Sequence, residues 1–142
     1  MTTSTASATW EGGLKDGKGT FQAASGAFKG AYSFATRFEG AKGTTPEELI
    51  AAAHASCLSM ALSAGLEKAG TPPTRVTTKA SCTIDFVAGA PKITTMKLEI
   101  RGKVPGIDQA AFAKAAEEAK NGCPVSGALK GNVAFQLDAK LE

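Results

Sequence analysis

Two cysteines and an arginine are the residues of this chain whose types and settings could do chemistry. Cys57 lies deep in Thr45-Pro-Glu-Glu-Leu-Ile-Ala-Ala-Ala-His-Ala-Ser-Cys57-Leu-Ser-Met60, and Cys123 sits in Lys120-Asn-Gly-Cys123-Pro-Val-Ser-Gly127. Upstream, Thr36-Arg37-Phe38-Glu39-Gly40 offers a cation. The thiolate is the reactive form of cysteine, and with a free pKa near 8.5 only about 3% of a thiol is ionised at pH 7. A neighbouring guanidinium lowers that pKa by about one to three units. Cys57, in mid-helix, gains little from the helix dipole and needs such a cation, for which Arg37 is the candidate. A guanidinium would also hold peroxide oxygens and steady an alkoxide leaving group.

An arginine in that role must be aimed, and a carboxylate pairs with it bidentately. If Thr45 is the N-cap of the helix, Glu48 falls at N3 and closes a capping box. That leaves Glu47 to orient Arg37, although both acids would also suit the helix dipole without any further role. Attack by one thiol leaves a sulfenic acid, which a second thiol condenses with. Cys123, at a loop–helix junction, is expected to be the more accessible and mobile, which suits a resolving thiol. The dipole argument points the other way, because an N-cap cysteine is the one with a depressed pKa. These physical arguments leave the order of the two thiols open. Cys82 alternates with Ala80, Ile84 and Phe86 along a strand and reads as a core residue. His54, one turn before Cys57, is in reach of it at i, i+3 spacing. It could serve as the base of a Cys–His pair, but nothing supplies the orienting group or oxyanion hole such a hydrolase needs. A buried or interface histidine is the plainer reading.

The elements that must position these residues fit one domain over residues 1–142, enough to bury a core. Hydrophobic residues make up 43% and charged residues 20% of the 142, as in ordinary globular proteins. The net charge of +3 comes from 16 Lys+Arg scattered among 13 acids, with no basic cluster and no interleaved aromatics to suggest nucleic acid. Three cysteines spaced by 25 and 41 residues, with one histidine, match no metal pattern. The first residues lack a charged and then an apolar region, which predicts no secretory signal and a cytoplasmic location, where thiols stay reduced. No membrane span is expected either.

Alternation predicts strands between residues 8 and 40, including Ala31–Phe38 with Arg37 near its end. Thr45 as N-cap and Pro46 at N1 open a helix of about 24 residues, roughly 36 Å long, that Gly70, Pro72 and Pro73 end. Its apolar residues run around the whole circumference, which predicts a buried central helix covered in part by a second copy of the chain. Strands follow at Val76–Val87 and Ile93–Val104, with Gly89-Ala-Pro91 as the turn between them. A helix capped by Asp108 runs from Gln109 to about Lys120, a short helix follows Cys123, and Asn132–Leu141 is a last strand. The order β-β-α-β-β-α-α-β predicts an α+β fold whose antiparallel sheets pack on the long helix.

These segments resemble the OsmC/Ohr family of osmotically inducible and organic hydroperoxide resistance proteins. The likeness runs through Trp10-Glu-Gly, Gly17-Lys-Gly-Thr20, Thr36-Arg-Phe-Glu-Gly40, Pro46-Glu-Glu-Leu-Ile, Ala52-Ala-His-Ala, Val104-Pro-Gly-Ile-Asp108 and Gly122-Cys-Pro-Val-Ser126. His54 is like the OsmC branch, where the Ohr branch has tyrosine. The resemblance implies an intertwined homodimer with two sites at the subunit interface. It implies a thiol-dependent peroxidase for organic hydroperoxides, with Cys57 as peroxidatic thiol, Cys123 as resolving thiol, Arg37 as active-site arginine and Glu47 as its partner. A dithiol, such as a lipoylated protein, would be the reductant, and no metal or organic cofactor is implied. An alkyl chain of the substrate is expected near Phe38, Leu58 or Met60. The competing reading is a non-catalytic dimeric module that binds a small apolar ligand, with inert core thiols.

Overall fold

A computed structural model describes all residues, Met1–Glu142, in two compact units, Met1–Leu49 and Ile50–Glu142. In the first unit three strands form an antiparallel meander: β1 (Ala6–Glu11), β2 (Lys18–Ala23) and β3 (Lys29–Tyr32). Aromatic rings gather over this sheet, Trp10 and Phe21 each within 6.0 Å of Tyr32 between ring centroids. The rings need backbone without a side chain beneath them. A Cβ at Gly19 would stand 2.5 Å from the Tyr32 ring, and one at Gly30 would stand 2.6 Å from Phe21 Cζ.

The strand expected over Ala31–Phe38 stops at Tyr32. Ser33 then caps a short helix, α1 (Phe34–Phe38), and Arg37 belongs to that helix. Local hydrogen bonding overrides the alternating pattern. The Ser33 hydroxyl accepts from the Thr36 N–H, and the Thr36 hydroxyl accepts from the Ser33 N–H, a capping box with threonine at N3. Phe34 and Phe38 then meet at i, i+4, 5.1 Å between centroids.

The long helix α2 (Pro46–Lys68) begins as its cap predicts, the Thr45 hydroxyl accepting from the Glu48 N–H at 3.0 Å. By length and composition α2 could cross a membrane, but Leu58, Leu62 and Leu66 on one face are buried in the core of the second unit. One chain does not cover the whole circumference. Ala52, Ala53, Ser56, Met60 and Ala64 lie exposed on α2, Met60 at 78%.

In the second unit β4 (Arg75–Val87) and β5 (Ala90–Lys103) make a long antiparallel hairpin. Its turn is Ala88-Gly89 and not Gly89-Ala-Pro91, because both central residues take positive φ, +52° and +80°, as a two-residue hairpin turn requires. Pro91 pairs opposite Phe86. Met96, Leu98 and Ile100 of β5 face the core, meeting α2 and Phe112 and Ala116 of α3 (Gln109–Gly122). A short helix, α4 (Pro124–Leu129), leads to β6 (Ala134–Leu141). This strand runs parallel to β5, so the sheet β4–β5–β6 is mixed where antiparallel sheets were expected. The physical reason is the connection: two helices carry the chain back across the sheet before β6 starts, and such a crossover delivers a parallel neighbour.

Candidate active site

Cys57 and Cys123, sixty-six positions apart, bring their sulfurs within 2.8 Å of each other. Cys57 projects from the middle of α2. Cys123 is held by a change of direction, since it is the C-cap of α3, its N–H donating to Ala119 O, and also the N-cap of α4, with Pro124 next. Its backbone is extended, φ −67° and ψ 127°, so α3 cannot run on into α4. The accessibility expected of Cys123 is reversed. Cys123 is 1% exposed, and Cys57 is the half-buried one of the pair. A loop–helix junction is not open when the helices on both sides of it pack inward, as Ala119 and Ser126 do here.

Either thiol can donate across a 2.8 Å contact, so the direction follows from the other donors. Burial pushes both thiols up. At Cys123 this is outweighed by hydrogen bonds from Cys57, from the backbone and hydroxyl of Ser126 and from the backbone of Val125, and its pKa falls below the ordinary value. At Cys57 burial is reinforced by the hydrogen bond to Cys123, and only the Val125 backbone opposes it, so its pKa is raised. The donors gathered around Cys123 thus favour its ionised form, and the setting of Cys57 disfavours its own. The cation argued for beside Cys57 is a residue of the other unit.

The first unit contains such a cation. Arg37 Nε donates to Glu47 Oε1 at 2.9 Å and to Oε2 at 3.3 Å, and Arg37 Nη2 donates to Oε1 at 2.6 Å. Glu47 is 4% exposed, and the Arg37 side chain 34%. Thr45 caps the Glu48 N–H, and the Glu47 side chain turns toward α1. Arg37 also lies 5.3 Å from the centroid of the Phe38 ring. A groove of about 230 Å³ runs beside it, lined by Trp10, Leu14, Tyr32, Phe34 and Phe38. Of the residues expected to meet an alkyl chain, Phe38 lines this groove, Leu58 is fully buried in the core, and Met60 is exposed.

His54 does not bond Cys57. Its Nε2 lies 2.7 Å from the Ser126 hydroxyl, and its ring is packed edge-on to Phe135. Burial lowers its pKa, which keeps the imidazole neutral. Ser126 is the residue that sequence reasoning passed over. Its signal was its place three residues after an N-cap cysteine, where a hydroxyl is in reach of the sulfur. Cys82 packs half-buried against the core in β4, opposite Met96. No group of three or more His, Cys, Asp or Glu side chains gathers as a metal site.

A family model described as OsmC-like protein matches residues 39–138. The chain is 48% identical to the peroxiredoxin OsmC of Escherichia coli (strain K12) over 132 residues, 92% of each protein. It is 32% identical to an organic hydroperoxide resistance protein of Xanthomonas axonopodis pv. citri over 101 residues, 69% of this chain and 68% of that protein. Among solved structures, an organic hydroperoxide resistance protein from Legionella pneumophila shares the fold, with a TM-score of 0.78, 22% identity and 96% of both chains covered.

Proposed function

The chain belongs to the OsmC-like protein family, and from that premise we propose that it is a thiol-dependent peroxidase that reduces organic hydroperoxides to alcohols. The observation that carries this reading is the pair of sulfurs 2.8 Å apart, one half-buried and one sealed off. The half-buried Cys57 is the thiol a peroxide can reach, and the sealed Cys123 is placed to act only on what Cys57 becomes. The accessibility difference supports the order that the resemblance implied.

In the proposed cycle the Cys57 thiolate attacks the terminal peroxide oxygen. The O–O bond breaks, the alkoxide takes a proton and leaves as the alcohol, and Cys57 becomes a sulfenic acid. Cys123 then attacks the Cys57 sulfur, hydroxide leaves as water, and an internal disulfide forms. A dithiol, such as a lipoylated protein, restores both thiols by exchange. In this reading Arg37, aimed by Glu47, supplies the positive charge that favours a thiolate and steadies the departing alkoxide. The aromatic groove beside Arg37 takes the organic part of the hydroperoxide.

The working unit in this reading is a cytoplasmic homodimer. Support comes from the uncovered apolar face of α2, since an apolar face of this kind calls for a partner. No metal or organic cofactor takes part. The test is cumene hydroperoxide consumption with excess dihydrolipoamide. Wild type turns over, Cys57→Ser does not, and Arg37→Ala is crippled. Activity surviving in Cys57→Ser but lost in Cys123→Ser would reverse the thiols. Wild type inert, with unreactive thiols, would refute the peroxidase.

A further inference from the structure

His54 is an odd residue for its place. It is fully buried on α2 and packed against Phe135, and its Nδ1 is the one buried side-chain nitrogen or oxygen left without a hydrogen-bond partner. An apolar side chain would fill the same space without that cost. What the imidazole gains is a single contact, Nε2 to the hydroxyl of Ser126 at 2.7 Å, with Ser126 itself 3% exposed. The proton must sit on Nε2, because a buried N–H with no acceptor is less tolerable than a buried acceptor with no donor. Nε2–H then donates to Ser126 Oγ, whose own hydrogen is free to turn toward the Cys123 sulfur, one helical turn back at the N-cap of α4. The contacts line up as imidazole N–H, hydroxyl O–H and sulfur, all screened from water.

We propose that His54 and Ser126 act in the second half of the cycle, as a buried donor chain that steadies negative charge on the Cys123 sulfur while it attacks oxidised Cys57. This inference rests on the two-cysteine reading above. The step is balanced without a further reagent. The Cys123 thiolate forms an S–S bond to the Cys57 sulfur, and the Cys57 S–O bond breaks. Hydroxide leaves and, with the proton Cys123 had lost, becomes water. Cys123 is oxidised and Cys57 partly reduced, with the hydroperoxide as the original oxidant. Ser126, whose hydroxyl would donate to the reacting sulfur, is the catalytic member of the proposal, and His54 is a positioning residue that polarises the hydroxyl and fixes its direction. Neither touches Cys57, so the first half of the cycle should not need them.

Single-turnover kinetics separate the halves. One equivalent of cumene hydroperoxide is added to reduced dimer. Sulfenic acid at Cys57 is trapped with dimedone, and disulfide is followed by mass after acid quench. Ser126→Ala should form the sulfenic acid no more slowly than wild type and close the disulfide about 10-fold more slowly. Ser126→Thr, which keeps the hydroxyl, should restore closure. His54→Gln, which retains an N–H donor, should close faster than His54→Leu. Closure by Ser126→Ala at the wild-type rate would overturn the proposal. So would equal losses in Ser126→Ala and Ser126→Thr, or a parallel loss in both halves that follows thermal stability. Wild type that forms no Cys57 sulfenic acid would overturn the two-cysteine reading itself and this inference with it, an outcome distinct from normal wild-type closure with indifferent variants.

Discussion

Replacing Glu47 by glutamine changes the aim of Arg37 while leaving the guanidinium in place. Three hydrogen bonds of 2.6–3.3 Å now join Arg37 to the carboxylate. Hydrogen bonds to charged groups contribute about 1.5–3 kcal/mol. The Arg37 side chain is 34% exposed and water competes for it, so the lower end applies, about 1.5 kcal/mol. If that energy is spent on orientation, Glu47→Gln slows oxidation of Cys57 about 10-fold, at about 1.4 kcal/mol per decade. Arg37→Ala removes the cation and should cost more, about 100-fold. The decisive comparison is the double variant. If Glu47 acts only through Arg37, adding Glu47→Gln to Arg37→Ala leaves the rate where Arg37→Ala put it. Stability should move the other way. Arg37→Ala strands a carboxylate that is 4% exposed, so the double variant should melt higher than Arg37→Ala alone. The assay is stopped-flow oxidation of Cys57 by cumene hydroperoxide, with calorimetry on the same proteins. Glu47→Gln within twofold of wild type, or equally costly with and without Arg37, would refute the reasoning.

Three further outcomes follow from the packing and the titrating groups. Cys123 owes its lowered pKa partly to the Cys57 S–H, which more than offsets its burial together with the Ser126 and Val125 donors. Cys57→Ala should therefore raise the midpoint of Cys123 ionisation, read as thiolate absorbance near 240 nm, and an unmoved midpoint would contradict that. His54 is held neutral by burial, below its ordinary 6.5, so the unfolded chain binds the extra proton first as pH falls. Its contribution to stability is complete above 6.5 and is lost as pH drops toward the folded-state value. Denaturant unfolding of His54→Gln should depend less on pH between 7 and 5 than that of wild type. At Gly102 a Cβ would lie 2.3 Å from the fully buried Phe112 ring, so Gly102→Ala should cost about 1–3 kcal/mol and lower Tm by several degrees, measured by calorimetry.

What was legible in the sequence was local. Thr45 and Pro46 announce the start of α2, and Asp108 announces α3, because caps are built from neighbours in the chain. The same cap logic picked Glu47 over Glu48 to face Arg37, and the two do meet. Where local signals competed, the pattern misled. Tyr32, Phe34 and Thr36 alternate like a strand, yet the Ser33–Thr36 capping box bends the chain into α1. Distant partners were in view only where chemistry or family likeness paired them, as with Cys57 and Cys123. Ser126 meets His54 across seventy-two positions, and no spacing rule predicts that contact. The parallel course of β6 depends on where α3 and α4 set the chain down. The uncovered face of α2 reflects a limit of periodicity, which shows that a surface is apolar without showing which chain covers it.

The span between Cys57 and Cys123 has a consequence beyond catalysis. A disulfide closing across those 66 positions would restrict the unfolded chain, by a loop-entropy argument, by about 4 kcal/mol. The oxidised protein would then open roughly a thousandfold less often than the reduced one, and proteases act on opened chains. A molecule that has just consumed a hydroperoxide would be the form hardest to degrade, and re-reduction would return it to ordinary turnover. The lifetime of the protein in the cell would thus rise with the oxidant load it meets, with no sensor other than its own cross-link.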